Sequence, residues 1–455
     1  MILSASLCLS LLLCPPQEPG DVVATYQLLG EPAQVTRTDV ALDLAFHLRR
    51  RERGRQGVEM LLQSELTRRA ANKAHLMPTE AEVRVFWAEL QRQLRAAGRE
   101  PDEFAAVRNT SERQWLEDLS LQMAQERLVR RELDLRPDEK VGGDMLKLWM
   151  QEQTRKAKVQ SDPDQLPPGT ALRLEDHDVP MVELGMLLLR TSEDDERNVA
   201  VHRVAYLNTL DALCRREQVA LQPADLDRAI EQRRKQAEQD ARFRGASFES
   251  VLQAEGLTTA ALRESRVFRG HVLLELLAQK RFPDATLAEE LVRDRAAVLE
   301  RVGPRRRLSV VFLNAMEVPN ELVKRDFAAA MERMAVLKQT LANETFANVA
   351  ALASEHAPTR KKGGDLGWHR RSGNQLPTVV AEAAFTLPAG GVSEPLRGED
   401  GVYLIKVVEI EPEPTDAVLL QRLRELRARE LGNQLIQDAK VQLVDGKENG
   451  KENGK

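Results

Sequence analysis

Residues able to do covalent or metal chemistry are sparse in this chain. Seven histidines stand at positions 47, 75, 177, 202, 271, 356 and 369, with no His-x-x-x-His or Cys-x-x-Cys spacing among them, so the pattern of a metal site is missing. No Gly-x-Ser-x-Gly elbow is present either. The densest grouping is Gly363-Gly364-Asp365-Leu366-Gly367-Trp368. A phosphate cradle would need a following Gly-Lys-Ser/Thr or a strand-glycine-helix frame, and neither is there. The glycines instead suit positive φ angles in a tight loop. Asp365 suits an acceptor that fixes that loop, and Trp368 reads as a core side chain. No metal and no cofactor is implied.

The same stretch continues with Ala383-Ala384-Phe385, Leu387, Gly390, Val392-Ser393-x-Pro395, and Gly401 before an apolar strand. In this order and spacing the residues resemble the core of the parvulin-type (PpiC, rotamase) prolyl isomerase family, over about residues 305–412. The resemblance implies a shallow apolar pocket that holds a proline ring while the preceding amide rotates. That rotation faces a barrier of ~18–20 kcal/mol and breaks no covalent bond. Gripping the ring, desolvating the amide and donating a hydrogen bond where charge shifts would lower it without a nucleophile. Position by position, the pocket falls on Leu376, where the family usually has Met, on Val380, where it usually has Phe, and on Phe385. Two family histidines correspond to Val310 and Tyr403, and the usual Asp or Cys before the Gly-rich loop corresponds to His356. Tyr403 and His356 are thus the candidate catalytic residues as a donor pair; the alternative is a buried tyrosine supported by an ordinary loop histidine. Two functions stay open: an isomerase, or a non-enzymatic parvulin-fold holdase or assembly scaffold that has lost the activity.

The elements around these residues read as a small α+β unit. Composition changes at Gly303-Pro304; Leu308–Leu313 (LSVVFL) predicts a strand, Pro319–Leu341 and Phe346–Ser354 predict helices, and Val402–Val408 predicts a second strand. Beyond Pro412-Glu-Pro414 a C-terminal helix is expected within 413–443, then a Gly/Asn-rich, charged tail at 444–455 with nothing to bury.

Up to about residue 300 amphipathic helical patterns dominate, as at Leu61, Leu62 and Leu66 and at Leu207, Leu210 and Leu213. Pro78-Thr79-Glu80 and Pro223-Ala224-Asp225 mark helix starts. A weak internal repeat relates Val35, Val40, Leu44, Phe104 and Val107 to Val179, Leu184, Leu188, Phe248 and Val251, each 144 positions on. Two similar helical domains are therefore expected, at 21–160 and 170–300, divided by the Pro- and Gly-containing loop Ser161–Gly169. The second resembles the helical chaperone region of SurA- and PrsA-type foldases, on Leu207, Leu210, Leu213, Val219–Leu226, Phe248–Leu252, Leu257 and Leu262. The expected fold class is α+β: a mostly helical N-terminal region, a parvulin-like domain and a C-terminal helix.

The apolar run Ile2–Cys14 has the length of a signal-peptide h-region, is too short to span a bilayer, and is followed by Pro15 and Pro16. Residues 1–20 are read as a leader, which predicts export to a periplasm or cell envelope and leaves only Cys214 beyond it. The 66 basic and 71 acidic residues give a net charge of -5, which offers no excess to attract a phosphate backbone. The expected partners are unfolded or nascent exported polypeptides with X-Pro bonds, not nucleic acid, and no stable transmembrane segment is expected once the leader is removed.

Overall fold

The structure is a computed structural model that describes residues 22–100, 112–136, 139–239 and 245–444. The expected leader, the tail beyond Val444, and Phe104 and Val107 of the repeat lie outside these residues. The chain forms two compact units, one ending at Leu274 and resuming at Gly432, the other spanning Glu275–Leu431.

In the first unit, strands β1 (Val22–Leu28) and β2 (Glu31–Thr36) form a hairpin. Its two-residue turn holds Leu29 and Gly30 at positive φ, as tight hairpin turns require. Thr36 then caps the helix Arg37–Leu48 in a reciprocal box: its hydroxyl accepts from the Asp39 N–H at 3.1 Å, and the Asp39 carboxylate accepts from the Thr36 N–H at 2.9 Å. Helices follow at Glu52–Ala74, Glu80–Ala96, Glu112–Glu132 and Gly143–Lys156. The plan recurs: β3 (Val159–Gln160), β4 (Thr170–Leu174) and β5 (His177–Pro180) make a small antiparallel sheet that leads into helices Met181–Thr191, Asp194–Arg216 and Pro223–Gln239.

The copies are not separate domains, which corrects the expected division into 21–160 and 170–300. Val40, Ala41 and Leu44 of one copy and Leu184 and Leu188 of the other lie in a single core. The helices Arg37–Leu48 and Met181–Thr191 approach so closely that a Cβ on Gly185 would stand 2.1 Å from the Ala41 carbonyl oxygen. The expected boundary loop is tied back as well. Buried Arg49 donates to the carbonyls of Ser161 at 2.5 Å and Ala171 at 2.7 Å, and Arg50 pairs with Asp164. Neither the short strands nor this clasp shows in the helical periodicity.

In the second unit, helices Asp284–Arg293 and Arg295–Val302 bury Leu287, Leu291, Val298 and Val302 against Leu419 and Leu423 of the helix Asp416–Asp438. Residues 275–300 therefore belong here, not with a 170–300 domain. A four-stranded antiparallel sheet follows, in the order β7 (Asp365–His369), β6 (Arg306–Asn314), β9 (Gly401–Ile410) and β8 (Leu396–Arg397). The helix expected over Pro319–Leu341 starts only at Phe327, because Asp326 caps it by accepting from the Ala329 N–H at 2.8 Å.

Side chains alternate along β6 and β9. Val311, Leu313, Val402 and Leu404 face the helices Phe327–Thr340 and Phe346–Ala353. Leu308, Val310, Phe312, Tyr403, Ile405 and Val407 face the helix Thr378–Thr386. The helix Asp416–Asp438 passes from this unit into the first at Gly432, where β10 (Gln442–Leu443) joins β1 as a third strand. The expected C-terminal helix at 413–443 is thus shared between the units and ends in a strand. The whole is α+β, with a helical N-terminal part and a small sheet-containing domain.

Replacing Gly185 by Ala should destabilise the first unit by about 1–3 kcal/mol, because the new methyl meets a backbone carbonyl that cannot turn aside. Gly143→Ala, whose Cβ would meet nothing within 4 Å, should change stability by less than about 0.5 kcal/mol. Urea denaturation midpoints of the two variants check the contrast.

Candidate active site

The alternation of β6 and β9 decides which candidate residues share a face. Val310 and Tyr403 both lie on the side of the helix Thr378–Thr386, in one cluster with Val380, Ala384 and, partly buried, Leu376 and Phe385. The strands are registered Val310 to Ile405 and Phe312 to Tyr403, so Val310 and Tyr403 are diagonal neighbours. Such pairs are about 7–8 Å apart, within reach of long side chains.

The Gly-rich loop sets the edge of this face. Gly363, Gly364 and Gly367 all adopt positive φ, at 65°, 82° and 81°. At Gly364 a Cβ would also stand 2.5 Å from the Val310 carbonyl oxygen, so the loop can lie against β6 only without a side chain. Asp365 accepts from Arg307 at 2.8 Å and from the Gly367 N–H at 2.9 Å. The Arg307 hydrogen bond, working against burial and helped by the Gly367 N–H, holds its carboxyl below the usual range. It is a loop-fixing acceptor, as its position between glycines suggests. Trp368 departs from expectation: it is 39% exposed on the edge strand β7, with the Arg305 guanidinium 5.4 Å from its ring centre.

Leu376 and Phe385 are half-buried and are carried by the helix Thr378–Thr386 and the loop before it. Asn374 shapes that loop, donating to the carbonyls of Arg370 and Arg371 at 2.9 and 2.7 Å and accepting from the Leu376 N–H at 3.1 Å. Arg306 closes the helix by donating to the carbonyls of Ala384 at 2.8 Å and Leu387 at 2.5 Å, and its guanidinium stands 5.4 Å from the centre of the Phe385 ring. Val380 does not join them at the surface. At 1% exposure it pins the helix to the sheet and serves as core, because its place in the helix turns it toward β9.

Tyr403 and His356 are not brought together. Phe312 stands beside each of them, 4.7 Å from the Tyr403 ring centre and edge-on to His356 at 6.5 Å. Tyr403, 7% exposed, donates its hydroxyl to Asp400, while His356 Nδ1 shares a 2.7 Å hydrogen bond with the Thr359 hydroxyl. Burial first, then Asp400, pushes the Tyr403 hydroxyl well above the ordinary tyrosine range. The donor pair expected from sequence is therefore replaced by two local pairs.

Sequence reasoning missed Phe312, Asp400 and Arg306. Phe312 is legible as the next residue on the Val310 face of LSVVFL. Asp400 sits in a tight turn closed by the Gly398 N–H donating to the Gly401 carbonyl at 2.8 Å. A Cβ on Gly398 would be 2.6 Å from the Tyr403 ring, and one on Gly401 would be 2.6 Å from the Phe312 ring, so both glycines make room for the aromatics. Among the described residues no group of three or more His, Cys, Asp or Glu is placed to hold a metal ion.

A four-stranded antiparallel sheet with helices on both faces and a glycine-rich loop against β6 is the layout expected of a parvulin-type domain. Residues 316–409 match the family model described as a rotamase, the PPIC-type PPIASE domain. The chain is 29% identical over 165 residues to the Chaperone SurA of Chromohalobacter salexigens, covering 36% of each chain. It is 27% identical over 225 residues to the Chaperone SurA of Aromatoleum aromaticum, covering 48% of each. To the Foldase protein PrsA of Oceanobacillus iheyensis it is 34% identical over 119 residues, covering 23% of this chain and 39% of that one. The chain spans less than half the length of these curated relatives. Residues 316–409 thus carry a PpiC-type domain, in a chain that is similar in part to SurA and PrsA proteins.

The raised Tyr403 pKa fixes the sign of a pH effect. The folded state favours the protonated hydroxyl, so this contribution to stability is complete below pH 10, the ordinary tyrosine value, and is lost as pH rises beyond it. Thermal midpoints measured from pH 8 to pH 11 should fall more steeply for the natural chain than for Tyr403→Phe.

Proposed function

We propose that the chain is an exported foldase that binds unfolded polypeptides and catalyses the rotation of X-Pro bonds on the Leu376–Phe385 face. The observation that carries this reading is the match of residues 316–409 to the PPIC-type PPIASE family, on a domain that keeps a half-buried apolar surface where a pyrrolidine ring would rest. Leu376 and Phe385 grip the ring, and Arg306 behind Phe385 keeps that ring in place. Seating the proline there removes water from the preceding amide, whose resonance sets the ~18–20 kcal/mol barrier.

The polar part of the reaction is weaker. As the amide twists, its nitrogen gains a lone pair that a donor can stabilise. The Tyr403 side chain lies on this face, and its proton is directed to Asp400. With Val310 apolar opposite Ile405, the face offers ring binding with little proton donation. This specific feature favours the second reading, a holdase that binds chains without accelerating rotation. Export rests on the apolar run Ile2–Cys14, and the clients are accordingly exported chains that carry prolines. No helix among the described residues is long and apolar enough to cross a membrane.

Exchange NMR on a short X-Pro peptide with the full chain separates the two readings, since the uncatalysed process takes tens of seconds or longer. Faster exchange that drops about tenfold in Phe385→Ala establishes the isomerase. Exchange unchanged by the natural chain, together with binding of an unfolded polypeptide, establishes the holdase. The double substitution Val310→His with Tyr403→His should raise the rate by about an order of magnitude in a folded chain, because it restores donors on the same face.

A further inference from the structure

Within Glu275–Leu431 a cleft of about 310 Å³ lies where the helix Asp416–Asp438 meets the loop that follows β7 and leads to Leu376. Two of its guanidiniums, from Arg305 and Arg422, are paired with a single carboxylate, with Arg370 beside them. Glu411 accepts from Arg305 at 3.1 Å and from Arg422 at 2.6 Å. Burial pushes the Glu411 carboxyl up, but the hydrogen bonds from Arg422 and Arg305 outweigh it and bring it down to about 2. Glu411 is therefore ionised and fully engaged.

Arg370 is left over. Its Nε is buried and has no hydrogen-bond partner among the described residues. Burial first, then the neighbouring charges of Arg422 and Arg305, outweigh the carboxylates of Glu411 and Glu425 and hold its pKa below the ordinary arginine value. Arg429, on the same cleft, is exposed and makes no ion pair among the described residues. Glu411 and Glu425 offset its charge in part but make no hydrogen bond to it, and a desolvated guanidinium beside two like charges stays costly until an anion fills its fork. Its planar fork matches a carboxylate with two parallel hydrogen bonds.

Two other features narrow the anion. Trp368, half-exposed at the rim, offers a flat apolar surface next to the guanidiniums. Glu425 and Glu430 also line the cleft; Glu430 is paired with Arg301 and Arg427, which leaves Arg370 and Arg429 against Glu425, a small positive surplus that suits a single carboxylate and not a polyanion. Resting on the reading that this chain binds polypeptides, we infer that the cleft takes an acidic side chain of a client segment, with an adjacent aromatic residue on Trp368. The loop that carries Arg370 also carries Leu376, and Asn374 ties the two together by hydrogen bonds. A client anchored here is held next to the apolar face.

The test is fluorescence anisotropy with the full chain and a labelled, proline-free peptide in which glutamates flank a phenylalanine, against its glutamine counterpart. The glutamate peptide should bind about tenfold more tightly at low salt. That preference should vanish in Arg370→Gln with Arg429→Gln, which orphans no carboxylate, and Trp368→Ala should weaken the glutamate peptide further. Equal binding of the two peptides, or a preference unchanged in a double variant with a natural melting temperature, overturns the inference. Competition by inorganic phosphate or by phosphatidylglycerol vesicles as effective as that by the unlabelled glutamate peptide also overturns it, in favour of a general anion site. Because the probe contains no proline, a negative result counts against the cleft and leaves the isomerase reading standing.

Discussion

The antiparallel pairing of β6 with β9 is the constraint on which the second unit depends. The two strands are matched from Arg306–Ile410 to Asn314–Gly401 and are buried on both faces over most of that length. A strand side chain can point only up or down, so each position is committed to one face. Val311, Leu313, Val402 and Leu404 anchor one helical layer, and that leaves Val310, Phe312 and Tyr403 to build the other. A shift of register by one residue would exchange the faces and put Phe312 and Tyr403 under the wrong helices.

This commitment explains the character of the proposed site. A layer packed on one side of a sheet has an interior and a rim, and only the rim can meet a ligand. Val380 lies in the interior, while Leu376 and Phe385 lie at the rim. Tyr403 is caught between, too buried to leave its hydroxyl unsatisfied, and Asp400 in the adjoining turn supplies the acceptor. A buried hydroxyl without a partner would cost about 1–3 kcal/mol, so the fold binds the proton that the proposed catalysis calls on. Stability of the face and donation from it compete for one group.

The helical unit shows the same principle at larger scale. Equivalent helices from the two copies of the repeat meet at Ala41 and Gly185, where backbone touches backbone because neither position carries more than a methyl. The contact turns what reads as two domains into one core, and Arg49 and Arg50 fasten the intervening loop from the opposite copy. The buried Arg49 guanidinium joins segments more than a hundred residues apart.

The sequence by itself determined the local features. Glycines at 363, 364 and 367 announced a loop with positive φ, LSVVFL and the segment from Val402 announced the central strands, and the 144-residue spacing announced a repeated plan. Each follows from rules that act over a few residues: steric freedom, strand alternation and helical period. Tertiary structure alone decided that Trp368 is exposed, that Val380 is core, that Tyr403 pairs with Asp400 and not with His356, and that Arg305 and Arg422 converge on Glu411 beside Arg370. These outcomes depend on which groups the fold removes from water and which charges it brings side by side. Desolvation and Coulomb interaction act between residues remote in the chain, and no local pattern records them.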